Sequence, residues 1–178
     1  MLELTAQIDL PGFRWLAPYA EAGKWYPGRF MEPRARNEPY LTRAVDRCES
    51  VVREASDQGR LGPQHLTVVG FSQGACIAIE YALRRPGPCG AIVVFTGALM
   101  GRPETKWKGR LNGLKIFLTG SDAGEWVTEG ATRQTAQVLC ELGADVTLRI
   151  YAGRPHIVAD EEVADARGFL ERNLIGCE

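Results

Sequence analysis

The segment that most constrains this chain is a junction. The β-branched run Leu66-Thr67-Val68-Val69 enters Gly70-Phe71-Ser72-Gln73-Gly74 and leaves as the apolar helical stretch Ala75-Cys76-Ile77-Ala78-Ile79. This is G-x-S-x-G in a strand–turn–helix setting, and the setting gives the pattern its meaning. A strand that becomes a helix over so few residues forces the serine into a strained backbone conformation. Glycines two before and two after it leave room for the crowded neighbours. The hydroxyl then stands clear of the sheet, at a helix N-terminus whose free N–H groups stabilise negative charge. Ser72 is therefore a candidate nucleophile. The plainer alternative is a strand–helix junction with a serine N-cap; the strand–turn–helix context favours the nucleophile.

The rest of the chain predicts a sheet to hold this elbow. Ala91 to Phe95 and Leu114 to Leu118 are continuous apolar runs, which suit strands covered on both faces. Asp145 to Tyr151 alternates as a strand, and Phe13 to Leu16 reads as a short one. Leu2 to Leu10 is a short amphipathic stretch ending at Pro11-Gly12. Asn37-Glu38-Pro39 starts a helix whose apolar face runs through Leu41, Ala44, Val45, Cys48, Val51, Val52 and Ala55 to Gly59. A second helix follows Ser72 and stops at Arg85-Pro86-Gly87, a third runs through Ala131, Ala136, Val138, Leu139 and Leu142 to Gly143, and a last one starts near Asp160. The order β-α-β-α-β-α-β-α predicts a parallel α/β sheet with right-handed crossovers. Residues 1–178 are expected to form one domain. Between Pro18 and Pro39 lies a long irregular loop with four prolines, two glycines, Trp25, Tyr26 and Phe30. Such a loop is a lid or pocket wall, or else packs over the core.

Composition narrows the function. Apolar residues make up 45% and charged residues 24%, with a net charge of −1, so nothing marks a surface for nucleic acid or anionic lipid. No long uncharged apolar run or basic leader is present, so neither a membrane span nor secretion is expected. The five cysteines (Cys48, Cys76, Cys89, Cys140 and Cys177) are odd in number and lack C-x-x-C spacing. Cys48, Cys76 and Cys140 fall on apolar helix faces, so reduced, mostly buried thiols in a cytoplasm fit best. Two histidines and scattered cysteines do not make a zinc site. No G-x-G-x-x-G or P-loop follows any strand, which disfavours a flavodoxin-like or nucleotide-binding domain.

A serine nucleophile needs a base within hydrogen-bond reach. His65 precedes the elbow strand and so lies at the wrong end of the sheet; it reads as structural or solvated. His156, in Tyr151-Ala152-Gly153-Arg154-Pro155-His156, lies just past the C-terminal end of the last strand, the edge where sites form in open parallel sheets. Ser72 and His156 therefore share an edge. An acid to orient the imidazole is offered there by Thr119-Gly120-Ser121-Asp122-Ala123-Gly124-Glu125-Trp126-Val127, as Asp122 or Glu125. The bland roles are a capping or surface histidine and solvated loop carboxylates. Trp25, Tyr26 and Phe71 are candidates to line an apolar substrate pocket, or to pack in the core.

The chain resembles the phospholipase/carboxylesterase family of α/β-hydrolases, which includes the acyl-protein thioesterases. The resemblance covers nearly the whole chain. It is carried by Leu16-Ala17-Pro18 with Trp25-Tyr26-Pro27, by Asn37-Glu38-Pro39 and by Gly70-Phe71-Ser72-Gln73-Gly74-Ala75. Thr96-Gly97-Ala98-Leu99-Met100-Gly101 and Ile150-Tyr151-Ala152-Gly153-Arg154-Pro155-His156 complete it. It implies a three-layer α/β-hydrolase-type parallel sheet with helices on both faces. It also implies hydrolysis of carboxylic esters or thioesters without a cofactor or metal. The family's nucleophile falls on Ser72, its base on His156 and its first oxyanion N–H on Gln73.

Two departures stand out. The family's catalytic aspartate position falls on Gly124, with only the preceding aspartate retained as Asp122. Either Asp122 or Glu125 reaches His156 by a changed loop path, or the site has no acid. The family also has a strand and a His-Gly-rich loop, source of the second oxyanion N–H, ahead of the segment matched by Leu2 to Leu10; here Met1 already lies past that loop. The fold is thus expected to lack N-terminal strands, leaving a gap beside strand 66–70. Three outcomes are open: segment 13–16 moves over to pair with it, a second subunit covers it as a homodimer, or the natural protein begins upstream. Two readings follow. One is a serine carboxylesterase acting on a small-molecule ester or thioester; the other is a weak or inactive hydrolase fold that binds a ligand or partner.

Overall fold

The fold, given by a computed structural model, is described for residues 2–8, 10–85, 87, 89–102 and 104–175. Four parallel strands form one sheet in chain order: β1 (Thr67–Phe71), β2 (Ala91–Phe95), β3 (Lys115–Ser121) and β4 (Asp145–Tyr151). The register is one-for-one, with Val69, Val93, Phe117 and Thr147 side by side. The carboxyl ends of all four strands therefore lie along one edge, and that edge carries Ser72, Thr96, Asp122 and Ala152.

The apolar runs bury as their periodicity requires. Alternate residues of a strand face opposite ways. Ile92, Val94, Ile116 and Leu118 pack with helix α3 (Gln73–Arg84) and helix α4 (Glu129–Glu141). Ala91, Val93, Phe95 and Phe117 pack instead with α1 (Leu2–Ile8) and α5 (Asp160–Leu170). Helix α2 (Tyr40–Gly59) lies outside α3, sharing a cluster of Leu41, Ala44, Cys76, Ile77 and Met100. This is the expected three-layer α/β sandwich.

Three expectations change. No helix joins β2 to β3 among the described residues. Leu99, Leu111, Leu114 and Trp107 of that connection pack into the α3/α4 cluster and cover the sheet face themselves. Phe13–Leu16 forms no strand, because Phe13 and Trp15 pack into the α1/α5 cluster, which ties the segment to the helix layer rather than to β1. Among the described residues, β1 has no strand on its outer side. Residues 12–18 and 65–71 instead line a cavity of about 480 Å³. Among the described residues the buried Thr67 hydroxyl has no partner. Cys140 is exposed rather than on a buried face, whereas Cys76 and Cys89 are buried and Cys48 half-buried. All four thiols are free, and Cys177 lies outside the described residues. Burial pushes the Cys48 thiol up to about 11 and the Cys89 thiol up to about 12.

Candidate active site

The elbow is fixed by close backbone approach. Ser72 sits at φ 55°, ψ −120°, a conformation non-glycine residues seldom adopt. Its N–H donates to Phe95 O at 3.0 Å, and its carbonyl accepts from Cys76 N at 3.1 Å. A β-carbon on Gly70 would lie 2.4 Å from Gly74 O and 2.6 Å from Ala75 N, so only glycine fits. Gly74 is different: a β-carbon there meets nothing closer than Trp25 Nε1 at 3.6 Å, so crowding does not explain this glycine. The tight partner of α3 is Gly97, whose β-carbon would fall 2.4 Å from Ala75 Cβ.

His156 comes to this elbow across the sheet. Its Nε2 is 2.9 Å from Ser72 Oγ, a distance at which the hydroxyl donates to a neutral ring. The Phe71 ring lies 5.0 Å from the imidazole and the Trp126 ring 6.3 Å, centroid to centroid. Burial depresses the His156 pKa, the positive Arg154 lowers it further and Glu125 pulls it back. The neutral, proton-accepting form is favoured.

No carboxylate hydrogen-bonds to the His156 ring among the described residues. Asp122 Oδ1 accepts instead from Gly153 N at 2.6 Å. Beside it Ser121 Oγ donates to Arg154 O at 2.7 Å. The retained aspartate thus holds the backbone of the histidine loop and not the ring. Glu125 is exposed and acts on His156 through its field. Gly124 sits in a turn so tight that a β-carbon would be 2.1 Å from Val127 O, which leaves no room for an aspartate on this loop path.

Gln73 opens α3, so its backbone N–H is one of the unpaired donors at the helix start, beside Ser72. Its side chain braces the aromatic loop, accepting from Trp25 N at 3.0 Å and donating to Tyr26 O at 3.2 Å. Asn37, fully buried, braces the same loop and is no helix cap. It accepts from Gly28 N at 2.9 Å and donates to Arg29 O at 3.1 Å. The loop so held walls a hollow of about 120 Å³ at Ser72, lined by Tyr26, Gly28, Arg29, Phe30, Met31 and Trp126. Of the aromatic residues expected there, Tyr26 lines it. Trp25 and Phe71 line the larger cavity beside β1. Trp126, with Arg29 6.0 Å over its ring, is an addition that its place beside Glu125 in the acid loop could have signalled. His65 is exposed in the turn Pro63–His65 at the opposite end of β1. No group of three or more His, Cys, Asp or Glu residues suited to a metal ion occurs among the described residues.

The family model for phospholipase/carboxylesterase matches residues 15–174. The chain belongs to the phospholipase/carboxylesterase family. It is 26% identical over 136 residues to acyl-protein thioesterase 1 of Saccharomyces cerevisiae, a match covering 74% of this chain and 59% of the yeast protein. The chain thus spans less than two thirds of that relative. Among solved structures, a phospholipase/carboxylesterase from Dyadobacter fermentans superposes with a TM-score of 0.76 at 31% identity, over 83% of this chain and 71% of that one. Arabidopsis thaliana SOBER1 superposes with a TM-score of 0.78 at 17% identity, over 96% and 90% of the two chains, a likeness of fold. No helix among the described residues is long and apolar enough to cross a membrane.

Proposed function

We propose that this protein is a serine carboxylesterase that hydrolyses small or acyl carboxylic esters, thioesters included, through an acyl-enzyme on Ser72. The 2.9 Å approach of His156 Nε2 to Ser72 Oγ, on a strained elbow, carries the proposal. Ser72 Oγ attacks the acyl carbonyl as its proton passes to His156 Nε2. Charge develops on the carbonyl oxygen, which faces the Gln73 N–H at the positive end of α3. The tetrahedral intermediate collapses, the leaving alcohol or thiol takes the proton from His156, and the acyl group stays on Ser72. Water then attacks this ester, again giving its proton to His156, and the acid departs as Ser72 recovers its hydrogen. The substrate acyl or alcohol group enters the hollow beside Tyr26, Phe30 and Trp126.

A second reading is favoured by the missing carboxylate at His156: a hydrolase fold that binds a ligand or partner and turns over weakly. Loss of a triad acid lowers turnover by about 10⁴-fold. Mass spectrometry after a fluorophosphonate, with hydrolysis of p-nitrophenyl acetate and butyrate, separates the two. A Ser72 adduct and rates above those of Ser72→Ala support the esterase. No adduct on folded protein removes the nucleophile. The reading includes a reducing cytoplasm, which the free thiols fit. It also includes a homodimer across the open edge of β1, to be checked by sedimentation.

A further inference from the structure

The histidine loop contains a buried cation for which esterase chemistry has no stated use. Arg154 is 6% exposed and directs its guanidinium back into the protein. Nη1 donates to Pro155 O at 3.0 Å and to Ile157 O, the two carbonyls that flank His156. Nη2 donates to Thr96 Oγ1 at 2.8 Å. Nε lies 3.0 Å from Glu162 Oε2, and Glu162 is completely buried. Glu162 is itself held by the Thr119 hydroxyl and by Ala159 N, the latter at 3.1 Å. Thr96 stands one residue beyond β2 at φ 51°, a conformation unfavourable for a β-branched residue. The strained threonine, the carboxylate on α5 and the two carbonyls converge on one planar fork.

We infer that Arg154 is the positioning residue for His156: it grips the backbone on both sides of the histidine and ties it to the ends of β2 and β3 and to α5. The imidazole is thereby aimed at Ser72 without a carboxylate on its other nitrogen. In an ordinary triad the acid fixes the ring directly. Here the ring is fixed from its own backbone, with Asp122 on Gly153 N as the second staple and Phe71 and Trp126 beside the ring. An arginine suits this task because its rigid fork serves several oxygens at once, which an ammonium cannot. The charged groups that act on His156 are Arg154 from its own loop and Glu125 from the loop after β3. Replacing the acid by a cation leaves the ring a neutral acceptor, at the expense of stabilising the imidazolium that forms later.

The inference rests on the esterase reading, and its test keeps the two apart. Arg154→Lys keeps the charge and loses the fork. Arg154→Met/Glu162→Gln removes both buried charges, so that no carboxylate is stranded. Circular-dichroism melting identifies the folded variants. With p-nitrophenyl butyrate, both are expected to lose about 100-fold in kcat with little change in KM, as for a misaligned reacting group. Fluorophosphonate labelling of Ser72 should slow in parallel. Ring ¹⁵N NMR should find the His156 pKa raised in the double variant and unchanged in Arg154→Lys. Folded variants whose kcat and His156 titration both match the unmodified protein would overturn the inference. If the unmodified protein itself shows no Ser72-dependent turnover, the esterase reading fails. The positioning role is then decided by the ¹⁵N shift of His156 Nε2, which reports its hydrogen bond to Ser72 Oγ and should change in Arg154→Lys; an unchanged shift in both folded variants would overturn it.

Discussion

Ser72 and Asp122 each stand one residue past a strand of the same sheet, with only the end of β2 between them, yet the two loops are built to different tolerances. The elbow is enforced by backbone against backbone: Gly70 against Gly74, Ser72 N–H on Phe95 O, and Gly97 against the start of α3. The acid loop is closed on itself by a turn in which Gly124 touches Val127 O, and its remaining aspartate faces the neighbouring loop. A function that depends on where the backbone goes is hard to lose without losing the fold. A function carried by one side chain on a loop can be dropped and its positioning work passed elsewhere.

The comparison breaks most simply at its strong side. Ser72→Ala should reduce ester hydrolysis to the rate of His156→Ala, with losses of up to about 10⁶-fold for a fully competent site. The protein should remain folded, since alanine asks for no new space. Equal rates for Ser72→Ala and the unmodified protein would show the elbow to be architecture alone. Next in size is Gly70→Ala, whose added carbon meets main chain at 2.4 Å. It should destabilise by about 1–3 kcal/mol, read in a denaturant titration, and suppress fluorophosphonate labelling even where folded. Gly74→Ala should do neither, because its β-carbon finds ordinary contact only.

Gly124→Asp tests the weak side. Were the acid merely missing, restoring it would raise kcat by up to about 10⁴-fold. With Val127 O 2.1 Å from the new β-carbon, the expected result is no gain and a loss of about 1–3 kcal/mol in stability. A large gain would mean that the turn opens easily and that the loops differ less than their contacts indicate.

The same contrast divides what the amino-acid sequence makes legible from what it does not. Ser72 and His156 were legible because chain order and strand ends determine the edge on which they fall. The sheet, its parallel order and the helix layers followed from the apolar runs. Phe13–Leu16 misled because a short apolar run is indifferent to whether it pairs in a sheet or packs on helices. The role of Arg154 was illegible: an isolated arginine in a Gly-Arg-Pro-His turn reads as a surface residue. Its partners Thr96, Thr119 and Glu162 come from three other parts of the chain. Asn37-Glu38-Pro39 reads as no more than a helix start, with Asn37 or Glu38 near the cap, since the partners of Asn37, Gly28 and Arg29, are found only when the aromatic loop folds back.

The smallest expected effect concerns protons. His156 titrates below the ordinary 6.5, through burial first and Arg154 second, with Glu125 opposing. The base therefore stays neutral under mildly acidic conditions, and the acid limb of kcat/KM should fall below 6.5. Stability carries the matching sign. Between the folded value and 6.5 the unfolded chain binds more protons at this site, so stability falls as the pH drops through that window and is unaffected by this group above it. Because the ring is partly exposed, solvent screens the effect, and it is best seen as a difference from His156→Gln in melts at two pH values. Glu125→Gln removes the one opposing charge and should move the limb lower still. A limb that moves upward would mean that Glu125 does not face the ring as drawn. A limb that stays in place while kcat drops sharply would mean that Glu125 swings in to serve as the acid, and the loop after β3 would then have kept the task that its turn denies to position 124.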